Sequence, residues 1–237
     1  MKHLNYRNIK LILLFFFAGL TIYLFQTSSF TEPAQLLRMV KEHLIMVGIS
    51  MTIATTIGVS IGILLSRPLF RKYQGIVMYI VGLGQTIPSL AILALAMSTL
   101  GIGMRPAIFA LTIYSVLPIA RNTLAGLNSV SDELIDAAKG MGLPPFKILI
   151  EIELPNAINV ILTGFRVALV INIGTAALGS LVGAGGLGEQ IFTGINFLNT
   201  RVMLSGAIPT ALLALLADYS VQLLNNWLVP RGLQKAD

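Results

Sequence analysis

The sequence predicts an all-α integral membrane protein with about six transmembrane helices. Of its 237 residues, 55% are hydrophobic and 11% are charged, and the mean hydropathy is +0.83. A soluble domain carries roughly 25% charged residues, so this chain has too few charges to cover a globule with a solvated surface. Charge-poor segments also recur at lengths near the ~20 residues that a helix needs to cross a bilayer. Both observations argue against an aqueous enzyme, a disordered protein and a nucleic-acid-binding protein.

The net charge and the counts of Cys and His exclude further classes of partner and site. The formal net charge is +6, but the 16 Lys and Arg residues are scattered rather than clustered, so no nucleic-acid partner is expected. Small groups of cations in loops are what orients a membrane protein. The chain has no Cys, and its two histidines, His3 and His43, lie far apart in the sequence. Disulfides, thiol chemistry and a metal site are therefore not expected.

Six charge-poor segments of the single domain 1–237 are predicted to span the membrane as helices. The first follows three cations and would also suit a signal peptide, but no small-residue cleavage site follows it, so an uncleaved anchor is expected. Without that segment, five spans remain. The fourth is short, and we expect it to extend back through Gly101–Met104 or to be tilted. The predicted spans are 9–27, 43–66, 75–99, 103–121, 157–182 and 202–229, with a polar loop at 122–156.

The distribution of Lys and Arg predicts that both termini are cytoplasmic. With the amino terminus inside, the inner segments hold eleven of these residues and the outer segments hold four, while Arg166 lies within a span. An excess of cations on the cytoplasmic side is the usual orientation of membrane proteins. The outer cations are Arg38, Lys41, Arg105 and Arg201. Residues 121–154 are then cytoplasmic, and residues 183–201 face outward.

Residues 129–158, SVSDELIDAAKGMGLPPFKILIEIELPNAI, do not resemble a membrane span. They hold five of the ten acidic residues of the chain. Ser129 and Ser131 suit a helix cap, and the acidic pair that follows suits a first turn. An apolar stripe at helical spacing then runs through Leu134, Ala137, Ala138 and Met141. The pattern predicts a short amphipathic helix that ends near Gly142, and a second short helix over 146–153. The first helix either lies on the membrane surface or docks a cytoplasmic partner.

A spaced motif within this segment favours docking. From Asp136 the chain reads D-A-A, three residues, Gly142, nine residues and then I-x-L-P. This matches the cytoplasmic loop signature of permease subunits of ABC importers, E-A-A-x3-G-x9-I-x-L-P, with Asp in place of Glu. Asp136 keeps the negative charge of the usual Glu but has a shorter side chain. By this resemblance, the predicted ATPase-docking residues are Glu133, Asp136, Ala137, Ala138, Gly142, Ile152, Leu154 and Pro155.

Three further stretches extend the resemblance over roughly Gly48 to Asp218. They are GQTIPSLAILAL (84–95), LGIGMRPAIFALTIYSVLPIARNTLAGL (100–127) and INIGTAALGSLVGAGGLGEQIFTGI (171–195). They resemble permeases of osmoprotectant importers, the betaine, carnitine and choline branch of the type I ABC importers. The resemblance implies a type I permease fold in the bacterial cytoplasmic (inner) membrane, with a coupling helix between the fourth and fifth spans.

The same resemblance implies the partners of the chain. They are a pair of cytoplasmic ATP-binding subunits, a second permease that is either a copy or a paralogue, and a separate periplasmic or lipid-anchored substrate-binding protein. The chain itself contains no Gly-Lys dipeptide and hence no G-x-x-x-x-G-K-[ST] loop, so ATP and Mg are expected on the partner ATPase. We predict no catalytic residue and no cofactor bound by this chain.

A glycine-rich segment, Gly183–Gly188, satisfies the dinucleotide pattern G-x-G-x-x-G. That pattern binds a nucleotide only between a strand and a helix, whereas here it follows a predicted membrane span. We expect instead a glycine-rich exit from the membrane that lines a gate or contacts the binding protein. Glu189 beside it is either an outward-facing contact or a solvated loop charge.

Polar residues within the spans predict part of a translocation pathway. Gln85, Thr86 and Pro88 interrupt the third span, and broken segments of this kind often border a pathway. A simple packing kink is the alternative. Asn172 and Thr175 on the fifth span are predicted to join the same lining.

Asp218 is also predicted to face the pathway or protein, because a carboxylate is costly in lipid. It could attract a cationic substrate, pair with Arg166, or make a structural hydrogen bond. Two glycine pairs, Gly58-x-x-x-Gly62 and Gly179-x-x-x-Gly183, permit close helix contact within the subunit or between two permeases.

Three other functions stay open at this stage. An importer of another small solute, such as an amino acid, would use the same cytoplasmic motif. An intramembrane enzyme would need a nucleophile and a base at depth, and no such pair is visible in the sequence. An ion-driven carrier would need several buried ionisable groups and would not need the motif. Because the chain has one Trp and six Tyr, we expect selectivity to reside in the binding protein and not in an aromatic cage here.

Overall fold

The computed structural model describes residues 32–228 together with Gly19, and no strand occurs among them. The first predicted span, 9–27, lies outside the described residues apart from Gly19. The helices are α1 (Pro33–Ser66), α2 (Gln74–Thr86), α3 (Ser89–Leu100), α4 (Met104–Asn128), α5 (Asp132–Gly140), α6 (Leu154–Ala176), α7 (Gly188–Asn196) and α8 (Thr200–Leu228).

Four helical segments in the described chain are long and apolar enough to cross a membrane. They are Ala34–Ser66, Met104–Asn128, Pro145–Val182 and Thr200–Asn225. The segments Arg71–Thr86 and Ser89–Leu100 pass the same test together but are bent by 90°, so the described chain has up to five spans. The all-α membrane fold is confirmed. The count of six stays a prediction, because its first span is not among the described residues.

Two span boundaries differ from the predicted ones. Helix α1 begins at Pro33 rather than at residue 43, because the helix continues beyond the apolar stretch through a charged first section. Proline suits this position, since the first turn of a helix needs no N–H donor. Helix α4 continues to Asn128 rather than ending at 121, which shortens the connection to α5.

The second short helix predicted over 146–153 is not a separate element. Residues Pro145–Lys147 form one helical turn, residues Ile148–Glu153 are π-helical, and both continue into α6. Pro155 has no N–H to donate into this turn, and a π turn accommodates the shifted register. The side chain of Asn156 donates from Nδ2 to the carbonyl oxygen of Ile152 at 2.7 Å. The proline is therefore absorbed within one long helix.

Helix α4 lies at the centre of the subunit and packs against α1 and α6. A Cβ atom on Gly58 would lie 2.9 Å from Ile119 Cβ, and one on Gly62 would lie 2.5 Å from Thr123 Cβ. The close contact predicted for this glycine pair is thus confirmed, and it joins α1 and α4 of the same subunit. The largest core cluster includes Met46, Ala54, Ala107, Ile119, Ala168 and Ile173.

Helix α1 is held by ion pairs near both of its ends. At the start, Arg38 Nη2 lies 3.1 Å from Glu189 Oε2, and Gly186 N donates to Glu42 Oε2 at 3.0 Å. At the other end, Arg67 pairs with the buried carboxylate of Glu153. With 34 residues, α1 is about 50 Å long. We refer to the end that holds residues 66–72 and 129–153 as the coupling end, after the predicted coupling helix, and to the opposite end, with residues 33–42 and 183–200, as the far end.

Candidate functional site

The short amphipathic helix predicted from the polar segment is present as α5. It starts at Asp132 with Asp132 and Glu133 in its first turn, where the helix dipole favours negative charge. Ser131 occupies the cap position, but its hydroxyl makes no capping hydrogen bond. Ser129 instead donates from Oγ to the carbonyl oxygen of Gly126 at 2.7 Å and closes the end of α4.

Helix α5 turns an acidic and apolar surface away from its own subunit. Glu133, Asp136 and Ala137 are exposed, and so are Leu134 and Met141 beside them. Among the predicted docking residues on α5, Ala138 is the one that is buried against the subunit. The exposed stripe gives a partner protein both charge and apolar area to contact.

An ion pair on the exposed surface of α5 offsets part of the negative charge of that surface. Lys139 Nζ donates to Asp136 Oδ1 at 2.8 Å, and both side chains are well exposed. The hydrogen bond from Lys139 and the negative charge of Asp136 raise the pKa of Lys139. A cation on a docked partner would therefore compete with Lys139 for the Asp136 carboxylate.

Gly142 ends α5 in a conformation that suits glycine. Its φ is +78°, and Leu143 N donates to the carbonyl oxygen of Ala138 at 3.2 Å across the turn. An added Cβ at Gly142 would meet no atom within 4 Å, so the requirement is conformational rather than steric. Residues other than glycine pay a conformational penalty in this left-handed region.

The other three motif residues hold the segment in place. Leu154 packs against a cluster of Leu127, Ala157 and Ile161, and Ile152 is half-buried. Only Pro155 is exposed. These residues therefore anchor the coupling end to α4 and α6, and they offer a partner little surface.

Sequence reasoning placed Glu153 in this segment but gave it no role. Its carboxylate is buried and accepts a hydrogen bond from Arg67 Nη2, which also donates to Ser66 Oγ at 2.9 Å. The pair fastens the end of α1 to the π-helical turn. The available signal was an acidic residue placed between Ile152 and Leu154 in an apolar turn.

The third predicted span is broken at Ile87 and Pro88. Gln85 Nε2 donates to the carbonyl oxygen of Tyr114 at 2.8 Å, and the Tyr114 hydroxyl donates to the carbonyl oxygen of Ile87. Thr86 Oγ1 donates to the carbonyl oxygen of Leu83 at 2.8 Å. The predicted interruption of this span is thus present, as a bend of 90° between α2 and α3. Side chains of the bend and of α4 therefore donate hydrogen bonds to backbone carbonyl oxygens on both sides of this contact.

A small cavity of about 20 Å³, room for about one water molecule, lies beside this bend. Ser89 from α3, Tyr114 from α4 and Thr175 from α6 give it three polar groups, and Leu93, Ala107, Ala110, Leu111, Leu178 and Gly179 complete the wall. The structure therefore brings Thr175 close to the break that contains Pro88. A role of these residues in a pathway stays a prediction.

Asn172, also predicted to line the pathway, lies instead in the interior of the subunit, where it is 0% exposed. Its Nδ2 donates to Ser115 Oγ at 2.8 Å and Ser50 Oγ donates to its Oδ1 at 3.1 Å. The amide thus joins α6 to α1 and α4. Because these bonds satisfy a buried polar group, Asn172 serves packing in this conformation.

Of the three roles left open for Asp218, the structure shows the ion pair. Arg166 Nη2 donates to Asp218 Oδ2 at 2.8 Å, and Arg166 Nε donates to Oδ1. Nearby, Asn225 Nδ2 donates to Asn159 Oδ1 at 2.8 Å. Both contacts connect α6 with α8. The charges of Arg166 and Asp218 therefore form an ion pair between these two helices.

The glycine-rich segment is shaped by packing and turns. Gly183, Gly185 and Gly186 have φ values of +75°, +78° and +86°. A Cβ on Gly188 would lie 1.8 Å from the carbonyl oxygen of Ala177. The segment connects two helical elements, and the described chain offers no strand to complete a dinucleotide-binding unit.

Comparison with known proteins identifies the family of this chain. Residues 58–232 match the binding-protein-dependent transport system inner membrane component family. The chain belongs to this family. It is therefore a multi-pass inner membrane permease subunit, a translocation component rather than an enzyme. Membership also implies an ATPase partner and a substrate-binding partner for this permease.

Several curated relatives cover most of the permease. The osmoprotectant import permease protein OsmY of Salmonella typhimurium is 48% identical over 187 residues, which is 79% of each chain. The choline transport system permease protein OpuBB of Bacillus subtilis is 39% identical over 86% of this chain and 94% of its own. The glycine betaine/carnitine/choline transport system permease protein OpuCB of Bacillus subtilis is 39% identical over 86% and 93%.

Solved structures share the fold. A chain of the inward-facing MetNI methionine ABC transporter is 28% identical to the permease, with a TM-score of 0.74, and the match covers 84% of this chain and all of that one. An amino acid ABC transporter crystallised with histidines is 17% identical, with a TM-score of 0.67. The second similarity shows the fold alone.

Proposed function

We propose that this permease forms the translocation pathway of an ATP-driven importer for glycine betaine or a related quaternary-amine osmoprotectant. The observation that carries the substrate class is the set of relatives at 39–48% identity that are described as osmoprotectant, choline, carnitine or glycine betaine permeases. Two permeases, as copies or paralogues, would stand side by side above a pair of ATP-binding subunits. A separate binding protein would deliver the solute from the opposite side.

The coupling end is the proposed docking site for the ATPase. Support comes from the exposed acidic and apolar stripe of α5 and from the ion pair between Arg67 and the buried Glu153, which joins this segment to α1. Because α5 is anchored to its subunit, a movement of a partner bound to its exposed stripe would be transmitted to α1, α4 and α6. Closure of the ATPase pair on ATP would then shift the permease between inward-open and outward-open states.

The proposed orientation places the coupling end and both termini in the cytoplasm. Arg67, Arg71, Lys72, Lys139 and Lys147 lie at or near the coupling end, in agreement with an excess of cations on the cytoplasmic side. The far end, with α7 and the glycine-rich segment, would face outward. Gln85, Thr86, Pro88 and Thr175 are proposed to border the pathway at the bend, with the cavity beside Tyr114 as part of it.

Uptake by the reconstituted importer tests the substrate class. Proteoliposomes that contain the permease, its ATPase and its binding protein should accumulate radiolabelled glycine betaine, carnitine or choline when ATP is enclosed with the ATPase. Transport should stop when the binding protein is omitted. Accumulation of none of these three solutes would contradict the proposal.

Charge reversal on α5 tests the docking site. Asp136→Lys should abolish co-purification of the ATPase and solute uptake while membrane insertion stays normal, because a like charge would face the partner's cation. Glu151→Lys is the matched control, since Glu151 is exposed in the same segment but lies outside α5. Normal uptake by the Asp136 variant would contradict docking at this surface.

An amino-acid importer is the second candidate, and the MetNI neighbour at 28% identity favours it. Competition distinguishes the two functions. Excess unlabelled methionine or histidine should leave betaine uptake unchanged if the first function is right. Direct uptake of a labelled amino acid, in the absence of betaine uptake, would favour the second.

A further inference from the structure

The connection between α7 and α8 presents two large apolar side chains to solvent. Phe197 is 79% exposed and Leu198 is 93% exposed. Ile195, one turn earlier, is also exposed. We define Ile195, Phe197 and Leu198 as the hairpin tip. Neither the coupling mechanism nor the pathway at the bend uses this surface.

The backbone of the tip is strained at Leu198. Its φ is +51°, the only positive value on a residue other than glycine in the described chain. Leu198 N donates to Ile195 O at 3.1 Å and Asn199 N donates to Gly194 O at 2.8 Å, the bonding pattern of a Schellman motif. Glycine normally occupies the left-handed position of that motif. A leucine there costs conformational energy and exposes apolar area, so stability does not account for the residue.

The tip is held rigidly on its two helices. A Cβ on Gly194 would lie 2.2 Å from Met203 N, so α7 and α8 touch directly below the tip. The side chain of Asn199 accepts hydrogen bonds from Arg201 N at 3.1 Å and Val202 N at 3.3 Å and caps α8. A preorganised surface of this kind loses little conformational entropy when a partner binds.

The position of the tip favours an aqueous partner over lipid. Phe197 borders a cleft that is also lined by Gln35 and Met39 of α1. The uncharged apolar stretch of α1 starts at Leu44. At 1.5 Å per residue, the tip therefore lies roughly 10 Å beyond the level where that stretch begins. The whole length of α1 separates the tip from the coupling end.

We propose that the hairpin tip is a docking surface for the importer's substrate-binding protein, with Phe197 and Leu198 as its apolar anchors. This inference rests on the proposed function and orientation, which place the far end outside. The family description itself requires a binding protein, and that protein must reach the end opposite the ATPase. Rigid, exposed aromatic and aliphatic residues are the usual anchors of protein interfaces. Arg201, exposed next to the tip, favours an acidic rim on the facing surface.

Binding measurements on the assembled importer test the proposal. The wild-type complex in lipid nanodiscs is titrated with its purified, fluorescently labelled binding protein. Phe197→Ala should weaken binding about tenfold or more, as for a central interface residue. Leu198→Gly should also weaken binding, yet it should not lower the melting temperature, because glycine relieves the strained φ. Leu69→Ala is the control, since Leu69 is 74% exposed at the coupling end.

The natural absence of cysteine permits a second test. Asn196→Cys carries a benzophenone maleimide next to the intact tip, and irradiation should give an adduct with the mass of the permease plus the binding protein. An adduct with lipid or with a second permease would overturn the proposal, as would wild-type affinity in both tip variants. ATPase retention and solute uptake are measured in the same preparation. If these are normal while the tip variants bind as wild type, only the tip assignment fails.

Discussion

The backbone at Gly142 has a conformation that favours glycine, and the effect of replacing this residue can be measured. Gly142→Ala should destabilise the end of α5 by about 1 kcal/mol, because an L-residue at a φ of +78° is strained. We expect roughly fivefold weaker ATPase retention, since the end of α5 must adjust. The measurement is the amount of ATPase that co-purifies with the variant.

Gly140 provides the matched control for this experiment. It is exposed, an added Cβ would meet no atom within 4 Å, and its φ is not in the positive region. Gly140→Ala should therefore leave ATPase retention unchanged. Equal losses in both variants would show that the surface itself, rather than the backbone conformation, excludes the extra methyl group.

Asn172 supplies a prediction about stability. Asn172→Ala removes the bonds to Ser50 and Ser115 that join three helices, and interhelical hydrogen bonds in membranes contribute about 0.6 kcal/mol each. We expect a loss of about 1–2 kcal/mol in the free energy of unfolding in micelles. Thr163→Ala should change it little, because Thr163 is exposed and bonds only within α6. A normal stability with altered uptake would return Asn172 to the pathway.

Single residues show clearly where sequence reasoning succeeds and where it stops. The spacing of Asp136 and Gly142 is a local property, so the short helix α5 and the glycine that follows it could be read from the sequence. Asn172 and Glu153 could not be placed in this way. Their partners, Ser50, Ser115 and Arg67, lie more than fifty residues away in the chain, and only folding brings them together.

At the scale of elements, the α6–α8 contact depends on a charge pair inside the membrane. Arg166→Ala or Asp218→Ala should reduce folded yield, because each change removes one charge of a partly buried ion pair inside the membrane. The exchanged pair, Arg166→Asp with Asp218→Arg, should recover part of that yield. The measurement is the monodisperse fraction after extraction in mild detergent.

An opposite result would reassign Asp218. If Asp218→Asn keeps a normal folded yield but loses transport of cationic solutes selectively, the carboxylate serves the substrate rather than the helix contact. The structure favours the first outcome, since Arg166 approaches both carboxylate oxygens of Asp218.

Helices were predicted well where hydropathy alone decides them. Spans 43–66 and 202–229 correspond to the apolar parts of α1 and α8. The π-helical turn at Ile148–Glu153 could not be predicted, because it results from fitting Pro155 into a continuous helix. An interruption of the third span at Pro88 was expected, but its 90° bend is held by hydrogen bonds with Tyr114 of another helix, which the sequence does not show.

At the scale of the whole molecule, the proposed orientation predicts which surfaces meet which compartment. Thr193→Cys, exposed at the far end, should react with a membrane-impermeant maleimide in intact spheroplasts. Leu69→Cys, exposed at the coupling end, should react only after permeabilisation. The natural chain has no Cys, so each label reports a single site. The reversed pattern would place the coupling end outside and contradict docking of a cytoplasmic ATPase.

The bend at Pro88 also sets an order on biosynthesis. Helices α2 and α3 have 13 and 12 residues, about 20 Å each, so neither alone matches a hydrocarbon core of about 30 Å. The hydrogen bonds at the break come from Gln85 and from Tyr114 of α4, a helix synthesised later. A ribosome-bound chain that ends before residue 104 therefore lacks the partner that stabilises the bend. We therefore expect the bend to form only after α4 has been inserted.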